Sequence, residues 1–149
     1  MTRTPDTATT EKEIYTTTSG IPTTVPPQHN ECFGHTWLNE SSRNKKYSVS
    51  ESNCDDGLSG WYRFGGGAGI KMASSCVPAR SCGANFPGWT YGAHPTVADG
   101  KVTRSVCYTW FSDCCFFSNG IEVVNCGQYY VYKLGPPPGC SYRYCGSDN

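Results

Sequence analysis

Three groups of residues in this 149-residue chain have types and spacings that could do chemistry. The largest is ten cysteines: Cys32, Cys54, Cys76, Cys82, Cys107, Cys114, Cys115, Cys126, Cys140 and Cys145. Thiols at this density bind metal, carry redox chemistry or cross-link a fold. A zinc ribbon needs paired Cys-x-x-Cys knuckles, and no spacing here supplies one. A redox pair needs the same motif or an exposed thiolate, and nothing in the sequence points to either. The even count therefore reads as a disulfide framework formed in an oxidising compartment. Five bridges at about 2–4 kcal/mol each would rival the net stability of a domain. The adjacent Cys114 and Cys115 rarely bridge each other in any fold, because the ring strains the peptide bond between them. They are predicted to reach different partners and so tie two neighbouring segments to one point.

The second group is a run of glycines. "GWYRFGGGAGIKM", residues 60 to 72, places four of them directly after an aromatic stretch. A strand followed by a glycine-rich loop is how many phosphate sites begin. The details fail, however. A P-loop requires lysine and then serine or threonine at the start of a helix, whereas Lys71 lies between Ile70 and Met72. The dinucleotide fingerprint would put its third glycine at Ile70 or at Met72. The glycines are read instead as conformational, allowing positive φ and close backbone approach.

The third group is the acids and histidines. His94 and Asp99 could be drawn as a dyad, but "GAHPTVADG" reads as a turn in which both are ordinary polar residues. Asp55, Asp56, Asp99 and Asp113 could be offered to calcium, yet no EF-hand ladder of oxygen ligands is present, and Asp55-Asp56-Gly57 reads as a turn. There is no Gly-x-Ser-x-Gly elbow and no strong carboxylate pair for glycoside hydrolysis. No catalytic residue, metal site or cofactor is assigned. Asn39, in "NES", is the one standard N-glycosylation sequon, and Asn30, in "NEC", a weaker non-standard one.

The elements that must hold these residues are mostly strands. In "GWYRF", Trp61 and Arg63 fall on one side, Tyr62 and Phe64 on the other. "SVCYTWF", residues 105 to 111, fits a strand or a short helix. "IEVV" and "QYYVYKL" flank Asn125, Cys126 and Gly127, which reads as a hairpin with a three-residue loop; Tyr130, Tyr132 and Leu134 then share a face. "GPPPG", residues 135 to 139, ends any ladder, since proline has no N–H to donate. No long helix and no internal repeat is visible. Leucine occurs only at Leu38, Leu58 and Leu134, so aromatics must fill much of the core. Four tryptophans and ten tyrosines could also form a sugar-stacking face, though the core has first claim on them.

Composition sets the outer limits. Twelve basic and twelve acidic side chains give zero formal charge, so no electrostatic footprint for nucleic acid or an anionic membrane exists. No apolar run has the length of a membrane span. Residues 1–30 contain no cysteine and are rich in threonine and proline, the composition of a disordered linker or an O-glycosylated stalk. The folded part is expected over 31–146. The opening "MTRTPDTATTEKEIYTTTSG" lacks the apolar segment of a secretory leader, so the chain is expected to be a fragment of a longer precursor.

Four segments in order carry a resemblance: "CDDGLSGWYRFGGGAGIKMASSCVP", "FPGWTYGAHP", "DGKVTRSVCYTWFSDCC" and "CGQYYVYKLGPPPGCSYRYC". With the cysteines in register over about residues 32 to 145, the chain resembles the cysteine-rich module of the uromodulin and pancreatic secretory granule membrane glycoprotein family, in a ten-cysteine form. The resemblance implies a small disulfide-rich, mainly β module with short strands and long ordered loops behind a disordered N-terminal tail. It implies the pairs Cys32–Cys126, Cys54–Cys140, Cys76–Cys114, Cys82–Cys145 and Cys107–Cys115, out of roughly 945 pairings that counting allows. It also implies an extracellular or cell-surface setting in a mosaic glycoprotein, beside EGF-like and zona-pellucida domains, where glycans can act as decoys for bacterial fimbrial lectins. This chain departs from the decoys: Lys133 and Gly135 in "YKLGPPP" stand where a sequon could be, and "WTYGAHP" has none. Asn39 alone remains, elsewhere in the module. The expected function is a non-catalytic recognition module that binds an extracellular protein or glycan or displays a glycan, with no nucleic-acid partner and no membrane insertion by this chain. The alternative is a structural spacer without a ligand of its own.

Overall fold

Alternation of apolar and polar residues decides which segments become strands, and a shortage of aliphatic side chains decides what lies between them. The computed structural model describes residues 29–49 and 51–149. The Thr/Pro-rich stretch read as a linker over 1–30 lies, except for its last two residues, outside the described residues. Nine strands follow in order: β1 (Thr36–Leu38), β2 (Gly60–Phe64), β3 (Lys71–Met72), β4 (Phe86–Tyr91), β5 (Lys101–Trp110), β6 (Asp113–Asn125), β7 (Tyr130–Leu134), β8 (Tyr142–Tyr144) and β9 (Gly146–Ser147). Seven form one sheet in the order β1-β2-β7-β6-β5-β4-β8, and β3 pairs with β9. The inner pairs are antiparallel, while β1 on β2 and β8 on β4 are short parallel edges. The remaining ordered chain is loop and four single 3-10 turns.

The segment "SVCYTWF" is strand: β5 runs through Trp110 and turns back at Phe111 and Ser112 into the 13-residue β6. The hairpin flanking Cys126 forms, but with a longer loop than the three residues read from the sequence. Asn125 pairs with Tyr130, leaving residues 126–129 outside the ladder. The Asn125 side chain explains the difference, since its Oδ1 accepts from Gly127 N at 2.8 Å and so keeps Asn125 in the strand. The strand β7 stops at Leu134, immediately before the prolines.

Aromatics do fill the core. Tyr62, Phe64, Tyr108, Tyr132, Tyr142 and Tyr144 are buried on one face of the sheet with Val106, Ile121, Val123 and Leu134. Burying each such ring stabilises by about 1.5–3 kcal/mol. Met72 and Ala68, both fully buried, close this layer from above. Their segment can lie that close because of the glycines. A Cβ on Gly69 would come 2.3 Å from the Ser147 carbonyl oxygen, and one on Gly146 2.0 Å from that of Ala68. Gly69 also takes φ of 101°, where side chains are strained. The glycine run is thus the floor on which β9 rests, and no helix follows it.

Candidate functional site

All ten cysteines are joined: Cys32–Cys126, Cys54–Cys140, Cys76–Cys114, Cys82–Cys145 and Cys107–Cys115. These are the pairs that the resemblance implies. No described cysteine is left as a thiol. The vicinal pair parts company because of a bulge. Tyr108 faces Phe117 and Trp110 faces Asp113, so Thr109 alone on β5 opposes Cys114, Cys115 and Phe116 on β6. The surplus backbone sends Cys114 towards Cys76 and Cys115 back across the hairpin to Cys107. The Trp89 indole N–H pins it, donating to the Cys114 carbonyl at 2.9 Å and to Thr109 Oγ1 at 3.1 Å.

The bulge also gathers aromatic rings at one end of the molecule. Tyr142 and Phe86 stack with centroids 4.2 Å apart, and Phe86 stacks on Trp110 at 4.4 Å. Phe117 reaches Tyr142, Phe116 packs edge-on against Phe117, and Phe111 packs against Trp110. The core therefore continues into solvent. Phe111, Phe116 and Phe117 are 68%, 45% and 47% exposed, too much for side chains whose role is burial. Phe111 sits at the hairpin tip with φ of 52°, a conformation usually left to glycine or asparagine.

At the opposite edge of the sheet, β1 lies parallel to β2 with Trp37 opposite Arg63. The Arg63 guanidinium is clamped between rings, 4.2 Å from the centroid of Trp37 and 3.7 Å from that of Tyr129. Tyr129 is held by its hydroxyl, which donates to the Cys32 carbonyl at 2.6 Å. Asn39 follows β1 directly and is exposed. It sits beside Gly66, whose added Cβ would come 3.4 Å from that of Asn39.

The acids and histidines go elsewhere. Asp55 was read as a turn residue, and its carbonyl does accept from Leu58 N. Its side chain, however, is buried at 3% exposure. Arg43 binds it bidentately, Nη1 to Oδ2 at 2.8 Å and Nη2 to Oδ1 at 3.0 Å, and Tyr144 N donates to Oδ2 at 2.9 Å. Burial pulls the Arg43 guanidinium down, but Asp55 and then Glu40 outweigh it and hold it above its ordinary value. Arg143 approaches the same carboxylate at 3.9 Å and donates to Ser42 Oγ and the Cys82 carbonyl. This centre was not read from the sequence. Its signal was weak, since its charges lie 12 and 88 residues apart. His94 and Asp99 are not brought together as a dyad. Asp99 caps a turn by accepting from Thr96 N, and Asp113 accepts from Cys115 N. His94 Nε2 meets the Tyr132 hydroxyl at 2.7 Å. The Tyr132 hydroxyl also accepts from Met72 N at 2.9 Å, which ties His94 to the buried β3 segment through one oxygen. Burial first, then the charges of Lys71 and Arg104, lower His94 to about 4.

The β-sheet is laced by five disulfides, four of them spanning 38 residues or more, and carries aromatic and cationic side chains on its outside. Residues 62–146 match the uromodulin-like domain. The chain belongs to that family. It is 45% identical over 118 residues to the pancreatic secretory granule membrane major glycoprotein GP2 of Rattus norvegicus, an alignment covering 76% of this chain and 22% of that protein. It is 43% identical over 115 residues to uromodulin of Mus musculus, covering 76% and 18%. Against the Homo sapiens GP2 the figure is 38% over 115 residues, covering 76% and 21%. The match thus spans about a fifth of the length of these relatives. A uromodulin-like domain with five disulfides belongs to extracellular space or the cell surface. No helix among the described residues is long and apolar enough to cross a membrane.

Proposed function

We propose that this uromodulin-like domain is a non-catalytic recognition module of an extracellular glycoprotein. It spans about residues 31–146, engages a protein or glycan partner, and carries a glycan on Asn39. The observation that supports this best is the aromatic end. Three exposed phenylalanines continue an unbroken stack of core rings on a hairpin braced by Cys76–Cys114 and Cys107–Cys115. Large apolar surface on a rigid support is the composition of interface hot spots, because little ordering entropy is lost on docking.

The test compares the chain with Phe116→Ser/Phe117→Ser and with Asn39→Gln on arrays of extracellular proteins, glycans and mannose-binding lectins. Binding that the phenylalanine variant loses while its near-ultraviolet circular dichroism is kept supports the aromatic end. Lectin binding lost in Asn39→Gln supports glycan display. If no form binds anything, the domain is a spacer, and the reading falls.

A further inference from the structure

Arg63 carries a feature that the recognition reading leaves unused. Its guanidinium touches Trp37 and Tyr129 but makes no hydrogen bond or ion pair with any described residue. Its Nε is buried without a partner, and so is Nδ1 of His35, whose ring lies 5.7 Å from each of the two clamping rings. A buried polar hydrogen left unpaired costs about 1–3 kcal/mol. Arginine cannot escape that cost by losing its proton. We propose that Arg63 is the centre of a binding site for a carboxylate-bearing sugar.

The geometry selects an oxyanion. Two rings lie against the guanidinium carbon at 3.7 and 4.2 Å, which leaves its N–H edge as the approach for a ligand. That is the approach a carboxylate uses for paired hydrogen bonds. The fork is fixed before the ligand arrives. Tyr129 is tethered through its hydroxyl to the Cys32 carbonyl, and the Trp37 ring lies over Gly65, where a Cβ would come 2.3 Å from it. Pre-ordering of this kind reduces the entropy lost on binding.

The surroundings select a sugar over a peptide acid. A cavity of about 300 Å³ opens beside Arg63, walled by Trp37, Tyr129 and Ile70 with Gln128 among its lining. A pyranose presents hydroxyls to the Gln128 amide and ring faces to Trp37 and Tyr129 as well as a carboxylate to Arg63. A lone peptide carboxylate satisfies only the arginine. Gly66 lines the cavity and abuts Asn39, so a glycan on Asn39 would start at its rim. The acidic sugar can therefore come from a partner or from the domain's own glycan. This site lies at the β1 edge, the phenylalanines at the tip of the β5–β6 hairpin, and the two fail independently.

The full chain is titrated with sialyllactose, neutral lactose and an acetylated glutamate peptide, followed by calorimetry and by the arginine Nε–H resonance. Sialyllactose is expected to bind at least about tenfold tighter than lactose or the peptide, to shift the Arg63 resonance, and to weaken with added salt. Arg63→Gln and Arg63→Lys should each lose about tenfold, the lysine because it keeps charge without the fork. Binding that emerges only in Asn39→Gln assigns the sugar to the domain's own glycan and supports the site. Lactose or peptide binding as tightly as sialyllactose, full binding by Arg63→Lys, or no sialyllactose binding in either glycan state overturns the proposal. Should Arg63→Gln not fold, the unmodified chain's acidic-to-neutral ratio decides. Failure here with phenylalanine-dependent binding intact leaves the recognition reading standing.

Discussion

The Asp55 centre and the Arg63 clamp both hold arginines at the margin of the aromatic core, yet they treat charge in opposite ways. At Asp55 two guanidiniums share one carboxylate that also accepts from the Tyr144 backbone, and every partner is protein. At Arg63 the fold supplies rings and no acid. The first arrangement fixes loops: it ties Arg43, after β1, to the turn at Asp55 and to β8. Removing one partner there leaves buried charge behind. The second fixes one side chain and leaves its hydrogens for something else. Similar chemistry thus serves architecture in one place and is held in reserve in the other, and the difference can be measured.

The largest effect should come from Cys32→Ser/Cys126→Ser. This bridge spans 94 residues, for which chain entropy gives about 4–5 kcal/mol. It also anchors the loop bearing Tyr129. Denaturant unfolding should show the loss, and the Arg63 resonance should broaden while the Asp55 contacts persist. Asp55→Ala should cost about 3–5 kcal/mol by the same measurement, since it strands two arginines and a backbone N–H. A loss below about 1 kcal/mol would erase the contrast between the two regions.

A smaller effect separates the core from both. The folded His94, at about 4, lies below its ordinary 6.5. Its contribution is therefore complete above 6.5 and is lost as pH falls towards 4, when protonation puts a charge into a buried site that already faces Lys71 and Arg104. The melting temperature of the parent should fall across that window more steeply than that of His94→Gln. Equal slopes would remove His94 from the account. Smallest of all, Arg63→Gln should change stability by less than about 1 kcal/mol, because the clamp is half-exposed and contributes only cation–π contact. A loss as large as that of Asp55→Ala would make the two arginine sites equivalent and purely structural.

What the sequence disclosed follows range. Alternation in "GWYRF", the hairpin beside Cys126 and the stop at the prolines depend on neighbours within a few residues, and all were legible. The glycines were legible as a backbone device by the failure of two phosphate motifs, but what they make room for, β9, lies about 80 residues on. Asp55 was legible only as a turn because its arginines come from distant loops. Arg63 was legible only as a residue sharing a side with Trp61. Its rings arrive from β1 and from the loop after β6, and no local pattern brings Trp37, Arg63 and Tyr129 together. The undecided "SVCYTWF" was settled by pairing with β6, which propensity alone could not weigh.

The disulfides have a consequence for synthesis. Cys32, Cys54, Cys76 and Cys82 all precede their partners by 38 residues or more, and the last to be made, Cys145, joins Cys82 beside the strand that rests on the glycine floor. With Cys107 added, a nascent chain leaving the ribosome presents five unmated thiols before Cys114, the first correct mate, has been translated. Any bridge closed among those five is non-native and must be undone by thiol–disulfide exchange before the domain can complete its fold.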